Sequence, residues 1–203
     1  MKYISQMSME ELAAFVCEAL EKEGIETVLS GGCCVELYSK GRYTSDDIDL
    51  IDRFNGGHRK IKEIMEKLGF KEYKMKRYFI HEDTSLFIEF PKGPLGVGDA
   101  PVKEVSARTT ETGTLKLLTP TDCIKDRLAA YYHWDDEQSL EQAIWVACEN
   151  EFDMKSIEIW SQNEDMMGKL QNFKEGFDSI KEAEERLADK SIKAEDFFKE
   201  LDS

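Results

Sequence analysis

At 203 residues, 41% of them hydrophobic and 34% charged, the chain can bury one sizeable core, or a modest α/β unit with a helical companion, without disulfides or a structural metal. That balance excludes an intrinsically disordered chain, and no apolar run approaches the roughly 18 residues of a membrane span. The formal net charge of −15 is uneven, with 20 acidic and 8 basic side chains in residues 135–203 against 22 and 19 in residues 1–134, so the C-terminal third would repel a long nucleic-acid backbone.

The N-terminal twenty residues carry Glu10, Glu11 and Glu18 among apolar ones, which is wrong for a signal peptide and points to a cytoplasmic address. Ser8-Met9-Glu10-Glu11 fits a capping box, followed by Leu12, Phe15, Val16, Ala19 and Leu20 at helical spacing up to a stop at Gly24. Residues 25–29 read as a short strand ending in Ser30-Gly31-Gly32, with a short helix over 33–38 and a second strand over 48–51. A long helix is predicted over 57–68, with Ile61, Ile64, Met65 and Leu68 on one face.

Strand-like runs follow at 70–75, 78–81 and 86–90, then a loop at 91–96 that two prolines and two glycines impose, then strands at 102–107 and 114–117. Thr119 caps a helix with Pro120 at its first position, and the remainder is helical, ending in a long amphipathic helix marked by Met167, Leu170, Phe173, Phe177, Ile180 and Leu187. The expected fold is α+β: a small mixed sheet flanked by helices over residues 1–117, then a helical segment over 118–203, with the substrate cleft between them. Five cysteines, odd in number and without a CxxC pair, read as reduced buried thiols.

Asp47-Ile48-Asp49 sits in an apolar strand, where residues two apart share a face about 6.5 to 7 Å apart, so both carboxylates can converge on one hard cation. Glu89 lies in the apolar run 86–90, and a charge in such a run has to face a cleft or a partner. Three carboxylates without histidine suit magnesium (Mg2+), which favours oxygen ligands and is completed by waters and substrate phosphates. Ser30-Gly31-Gly32, between strand and helix, offers backbone N–H groups, a hydroxyl and a helix N-terminus to a phosphate. Together they suit in-line displacement at a phosphorus atom.

Taken singly, each element has a plainer explanation. The acid pair can be a solvated turn, Gly31-Gly32 an ordinary tight turn, and Glu89 a surface residue of an edge strand. Lys125 and Arg127 can reach a triphosphate or form a solvated pair beside Asp122 and Asp126. The basic cluster Lys71, Lys74, Lys76 and Arg77 can touch an acceptor or solvate a hairpin. His58, His81 and His133 lack ligand spacing, and Tyr131-Tyr132-His133-Trp134 reads as helix packing.

In combination, Ser30-Gly31-Gly32, Asp47-Ile48-Asp49 led in by Arg42-Tyr43-Thr44-Ser45, and the later acid Glu89 resemble the DNA polymerase beta superfamily of nucleotidyltransferases, and its small prokaryotic members above all. The likeness covers residues 25–90, and the segment 118–143 with Lys125-Asp126-Arg127 resembles the helical part of such proteins. Two departures mark this chain: the serine precedes the glycines, and the third acid is glutamate where many members have aspartate. The resemblance implies catalysis and magnesium binding by Asp47, Asp49 and Glu89, with the triphosphate held by Ser30, Gly31 and Gly32; Lys125 is the candidate cation of the helical part.

The activity so implied is transfer of a nucleoside monophosphate from a triphosphate such as ATP to an unknown acceptor, a small molecule or protein in preference to a long polynucleotide. A catalytically silent binding module of the toxin–antitoxin kind, or a metal-dependent phosphohydrolase, would use the same residues.

Overall fold

The capping box forms as expected: Ser8 Oγ accepts from the Glu11 amide at 3.3 Å, and Glu11 Oε2 accepts from the Ser8 amide at 2.8 Å. It starts helix α1 (Met9–Lys22), whose Leu12, Val16 and Leu20 are fully buried. The structure is a computed structural model that describes residues 2–54, 57–73, 77–98 and 100–201, with side chains described up to residue 188.

After α1 come β1 (Thr27–Ser30), α2 (Gly31–Tyr38), β2 (Asp47–Asp52), α3 (His58–Lys67), β3 (Lys71–Tyr73), β4 (Tyr78–Ile80) and β5 (Phe87–Glu89). A two-stranded ribbon of β6 (Gly96–Val97) and β7 (Ala100–Pro101) precedes β8 (Val105–Thr109) and β9 (Thr114–Leu118). The helical part is α4 (Pro120–Trp134), α5 (Glu137–Glu149), α6 (Met154–Asn163) and α7 (Met167–Leu201). Seven strands form one mixed sheet in the order β3-β4-β5-β2-β1-β9-β8. The fold is therefore α+β, a mixed sheet flanked by helices and followed by a helical segment.

The order explains the burial patterns. Strand β1 is buried at all four positions because it lies inside the sheet, antiparallel to β2 and parallel to β9. Strand β2 alternates: Ile48, Leu50 and Asp52 are buried on one face, while Asp47, Asp49 and Ile51 keep partial exposure on the other. Pairing of β2 with β5 is parallel and sets Asp49 opposite Glu89. Across this pairing, inside the sheet, the mainly apolar chemistry gives way to three acids.

The helical segment packs on the sheet without a break in the apolar core, which runs as one cluster from Leu12 to Phe173. Thr119 Oγ1 accepts from the Asp122 amide at 3.2 Å and Pro120 opens α4, as its sequence predicts. Tyr38 Oη donates to the Leu118 carbonyl at 2.8 Å, and Asn150 Nδ2 donates to the Tyr38 carbonyl at 2.9 Å, so the end of α2 is fastened to both parts. All five cysteines are free and buried. No helix among the described residues is long and apolar enough to cross a membrane.

The elements differ from the sequence expectation mainly in length. Helix α2 begins at Gly31 instead of Cys33, and β5 spans only Phe87–Glu89. Residues 96 and 97, with 100 and 101, pair as a ribbon within the region expected to be loop and strand start. The expected strand over 70–75 is present as Lys71–Tyr73, and residues 74–76 lie outside the described residues.

Candidate metal and nucleotide site

Strand period and strand register together build an acid centre. Asp47 and Asp49 share a face of β2, and the parallel register brings Glu89 of β5 level with Asp49. One carboxylate oxygen from each lies within 4.8 Å of the others, and this is the one such grouping of potential ligands among the described residues. Oxygens around a magnesium ion with bonds of roughly 2.1 Å are about 3 to 4.2 Å apart, so small side-chain rotations would close the set on a cation. The donors are all hard oxygens, and Glu89 is only 9% exposed.

The electrostatics show what the geometry costs without a cation. Burial first, then the charges of Asp47 and Glu89, push the Asp49 carboxyl up to about 7 from its ordinary 3.8. Arg127 opposes this shift weakly, and Asp126 adds to it. A divalent ion would offset both the burial and the repulsion that push the Asp49 carboxyl up.

Asp47 is positioned from its own N-terminal side. Ser45 Oγ donates to Asp47 Oδ1 at 2.9 Å, and Cys33 Sγ donates to the Asp47 carbonyl at 2.7 Å. The Ser45 amide is in turn held by Glu36 Oε2 at 2.7 Å. Ser45 in the lead-in is thus a clamp that joins α2 to the start of β2, a role its sequence position did not disclose.

The glycines have an internal reason to be glycine. Gly31 has φ +63°, and a Cβ placed there would lie 2.0 Å from Asp49 Oδ2. A Cβ on Gly32 would lie 2.7 Å from Ser45 Oγ and 3.2 Å from the Tyr43 ring. The first turn of α2 therefore lies directly against the acid-bearing strand, with Asp49 at its N-terminus. Ser30 stands opposite Asp49 in the β1–β2 ladder, is 3% exposed, and makes no capping hydrogen bond with its hydroxyl.

The basic residues are distributed otherwise than their spacing suggests. Lys125 Nζ donates to Asp122 Oδ1 at 3.1 Å and to Ser156 Oγ at 2.9 Å, which ties α4 to α6. Arg127 is the basic residue of that segment whose charge reaches Asp49. Its Nε and Nη2 donate to Asp126 Oδ2 at 3.0 and 2.6 Å, and its side chain is 18% exposed, so it is no solvated surface pair. Burial works against its charge, but Asp126 and more weakly Asp49 hold its pKa above the ordinary value.

Of the basic cluster between β3 and β4, Lys71 is exposed, Lys74 and Lys76 lie outside the described residues, and Arg77 reaches Glu89 at 2.8 Å. His58 pairs with Glu72 and His133 with Glu164, and neither pair includes a residue of the acid centre. Tyr131 and Tyr132 pack as expected, with Tyr132 stacked on Trp160, whereas Trp134 is 76% exposed.

No family model matches the chain, and no curated protein matches it. Two solved structures are similar to it. One is the antibiotic-resistance factor ANT(2'')-Ia in solution, at 17% identity and a TM-score of 0.41, covering 85% of this chain and 92% of that one. The other is ANT(2'')-Ia in complex with adenylyl-2''-tobramycin, at 15% identity and a TM-score of 0.40, covering 81% of this chain and 94% of that one. Both likenesses are distant.

Proposed function

We propose that the chain is a magnesium-dependent nucleotidyltransferase that moves a nucleoside monophosphate from a nucleoside triphosphate, ATP among them, to an acceptor hydroxyl. The observation that carries this reading is the convergence of Asp47, Asp49 and Glu89 within 4.8 Å beside a helix N-terminus. The motif resemblance described above supports the same assignment.

In this reading Asp47, Asp49 and Glu89 hold the magnesium, which when bound supplies charge stabilisation to the triphosphate and to the entering and leaving oxygens. The first turn of α2, with the Ser30 hydroxyl that makes no capping hydrogen bond, receives phosphate oxygens. The acceptor oxygen forms a bond to the α-phosphorus while the bond to pyrophosphate breaks, and in this reading Glu89 takes the acceptor's proton. Arg127 is the better candidate than Lys125 for favouring negative charge from the helical side, because its charge reaches Asp49 whereas Lys125 is bonded to Asp122 and Ser156. The acidic C-terminal third favours a small molecule or a protein as acceptor over a long polynucleotide.

The test is incubation with α-labelled triphosphates, magnesium and a cell extract. The label is expected on an acceptor with the parent protein and not with Glu89→Gln, which should still bind nucleotide. Release of labelled monophosphate alone would identify a hydrolase, and magnesium-dependent binding without turnover would identify a binding module.

A further inference from the structure

Arg77 is rooted one step from the third acid. Its carbonyl accepts from the Phe90 amide at 2.9 Å, and the next residue, Tyr78, is the ladder partner of Glu89 in the antiparallel β4–β5 pair. From there Arg77 Nε lies 2.8 Å from Glu89 Oε1, yet without hydrogen-bond geometry, and this Nε is a buried polar atom with no hydrogen-bond partner. Its Nη2 donates to Tyr78 Oη at 3.1 Å, and the guanidinium centre lies 5.2 Å from the centroid of that ring. The contact with Glu89 is thus close in charge and poor in direction.

Arg77 also lines a cavity of about 220 Å³ with Asp52, His58, Ile61, Phe90 and Lys92. Asp52 lies three residues beyond Asp49, on the opposite face of β2; it is 6% exposed and accepts from the Phe54 amide at 3.2 Å. Arg77 and Asp52 thus share the lining of one cavity.

We propose that Arg77 is a displaceable counter-ion: it neutralises Glu89 while the acid centre is metal-free, yields that carboxylate to an arriving divalent cation, and turns to Asp52. This rests on the reading of Asp47, Asp49 and Glu89 as a metal centre. While Arg77 stands beside Glu89 it draws on the same negative charge that a divalent ion would use, and the arginine charge repels the incoming cation. Arg77 is in these terms a positioning residue, setting when Glu89 is available.

The experiment is calorimetric titration of Mn2+ into nucleotide-free protein at pH 8. Arg77→Gln should bind Mn2+ roughly tenfold more tightly than the parent, the size expected of one charge near the site at a high effective dielectric. Arg77→Lys, which keeps the charge, should stay within about twofold of the parent on the same ground. Asp52→Asn should weaken Mn2+ binding in the parent background and leave it unchanged in the Arg77→Gln background. Circular dichroism checks folding, and Arg77→Met replaces Arg77→Gln if the latter does not fold.

If Asp49→Asn abolishes Mn2+ binding while Arg77→Gln binds no more tightly than the parent, the counter-ion role is wrong and the metal centre stands. If Mn2+ binding is absent from the parent and Arg77→Gln alike, or survives Asp49→Asn, the metal centre falls and the counter-ion role with it.

Discussion

Where the sheet meets the last helix, Arg42 holds Glu149 and Glu184 at 2.8 Å each, and Lys40 adds a contact to Glu149 at 3.0 Å. In the acid centre, Asp47, Asp49 and Glu89 converge, and among the described residues only Arg77 comes within ion-pair distance, of Glu89 alone. Both regions are rich in acid, but the carboxyls respond in opposite directions. Hydrogen bonds from Lys40 to Glu149 and from Arg42 to Glu184 hold those groups below the ordinary range, whereas burial and like charge push Asp49 up to about 7. The net charge of −15 does not distinguish these cases, and the supply of partners does. An acid cluster left short of cations inside a fold is where an exogenous cation has the most to offer.

The largest expected effect is on turnover. Replacing both Asp47 and Asp49 by asparagine should cut nucleotidyl transfer by about 1000-fold or more, since the charge stabilisation removed is of the order of several kcal/mol. Arg42→Ala should leave transfer within about twofold of the parent, because it breaks only a partly exposed junction. An equal loss in both variants, measured in the labelled-acceptor assay, would erase the distinction between the regions.

Next in size is Gly31→Ala. The left-handed backbone and the would-be 2.0 Å contact with Asp49 should together cost roughly 3 kcal/mol of stability, read by chemical denaturation. Asp49→Ala should restore part of that loss by vacating the contact. Full additivity of the two substitutions would show that the two groups do not meet. Gly32→Val would meet Ser45 and Tyr43 in the same way, so it is a packing variant and not a clean probe of phosphate approach.

A smaller and oppositely signed effect is expected of Asp49→Asn. Between about pH 3.8 and pH 7 the folded protein holds a proton on Asp49 that the unfolded chain has lost, so metal-free stability falls as pH rises through that window. The substitution should therefore stabilise the metal-free protein at pH 8 by roughly 2 kcal/mol, about half of what the full shift would give, and by nothing below pH 4. Magnesium should raise the parent's melting temperature at pH 8 and scarcely at pH 5.5, because it competes with that proton. Equal stabilisation at both pH values would contradict the linkage.

The smallest effect lies at the junction. Arg42→Ala should cost at most about 1 kcal/mol at neutral pH, since partly exposed pairs contribute little. Glu149 and Glu184 are held low, so their contribution is present above the ordinary carboxylate pKa and is lost as pH falls through their lowered values. The cost of Arg42→Ala should therefore shrink in acid, the reverse of the Asp49 profile. A cost that persists at pH 3 would place Arg42's role in packing.

Much of this was legible in the sequence because it depends on local period. The face shared by Asp47 and Asp49 follows from strand geometry alone, and the α1 and α4 caps follow from residue types three apart. What was hidden depends on register between distant segments. That Glu89 stands level with Asp49 is set by the β2–β5 pairing across the intervening helix and hairpin, and that Arg77 meets Glu89 is set by the β4–β5 pairing. The glycines read as ground for a phosphate, and only the folded chain shows that the space a Cβ would take is occupied by Asp49 at Gly31 and by Ser45 and Tyr43 at Gly32. Lys125 and Arg127 lie two apart on one helix, and only the packing of α4 decides that the first faces Ser156 and the second comes under the field of Asp49.

The most direct test of the metal-centre reading is the crystal structure of the protein grown with Mn2+ and a triphosphate whose α,β-bridge resists cleavage, examined for anomalous scattering. The expected result is a Mn2+ peak coordinated by Asp47, Asp49 and Glu89, with the triphosphate at the first turn of α2. A peak away from these three carboxylates, or a triphosphate bound without contact to the metal, would contradict it.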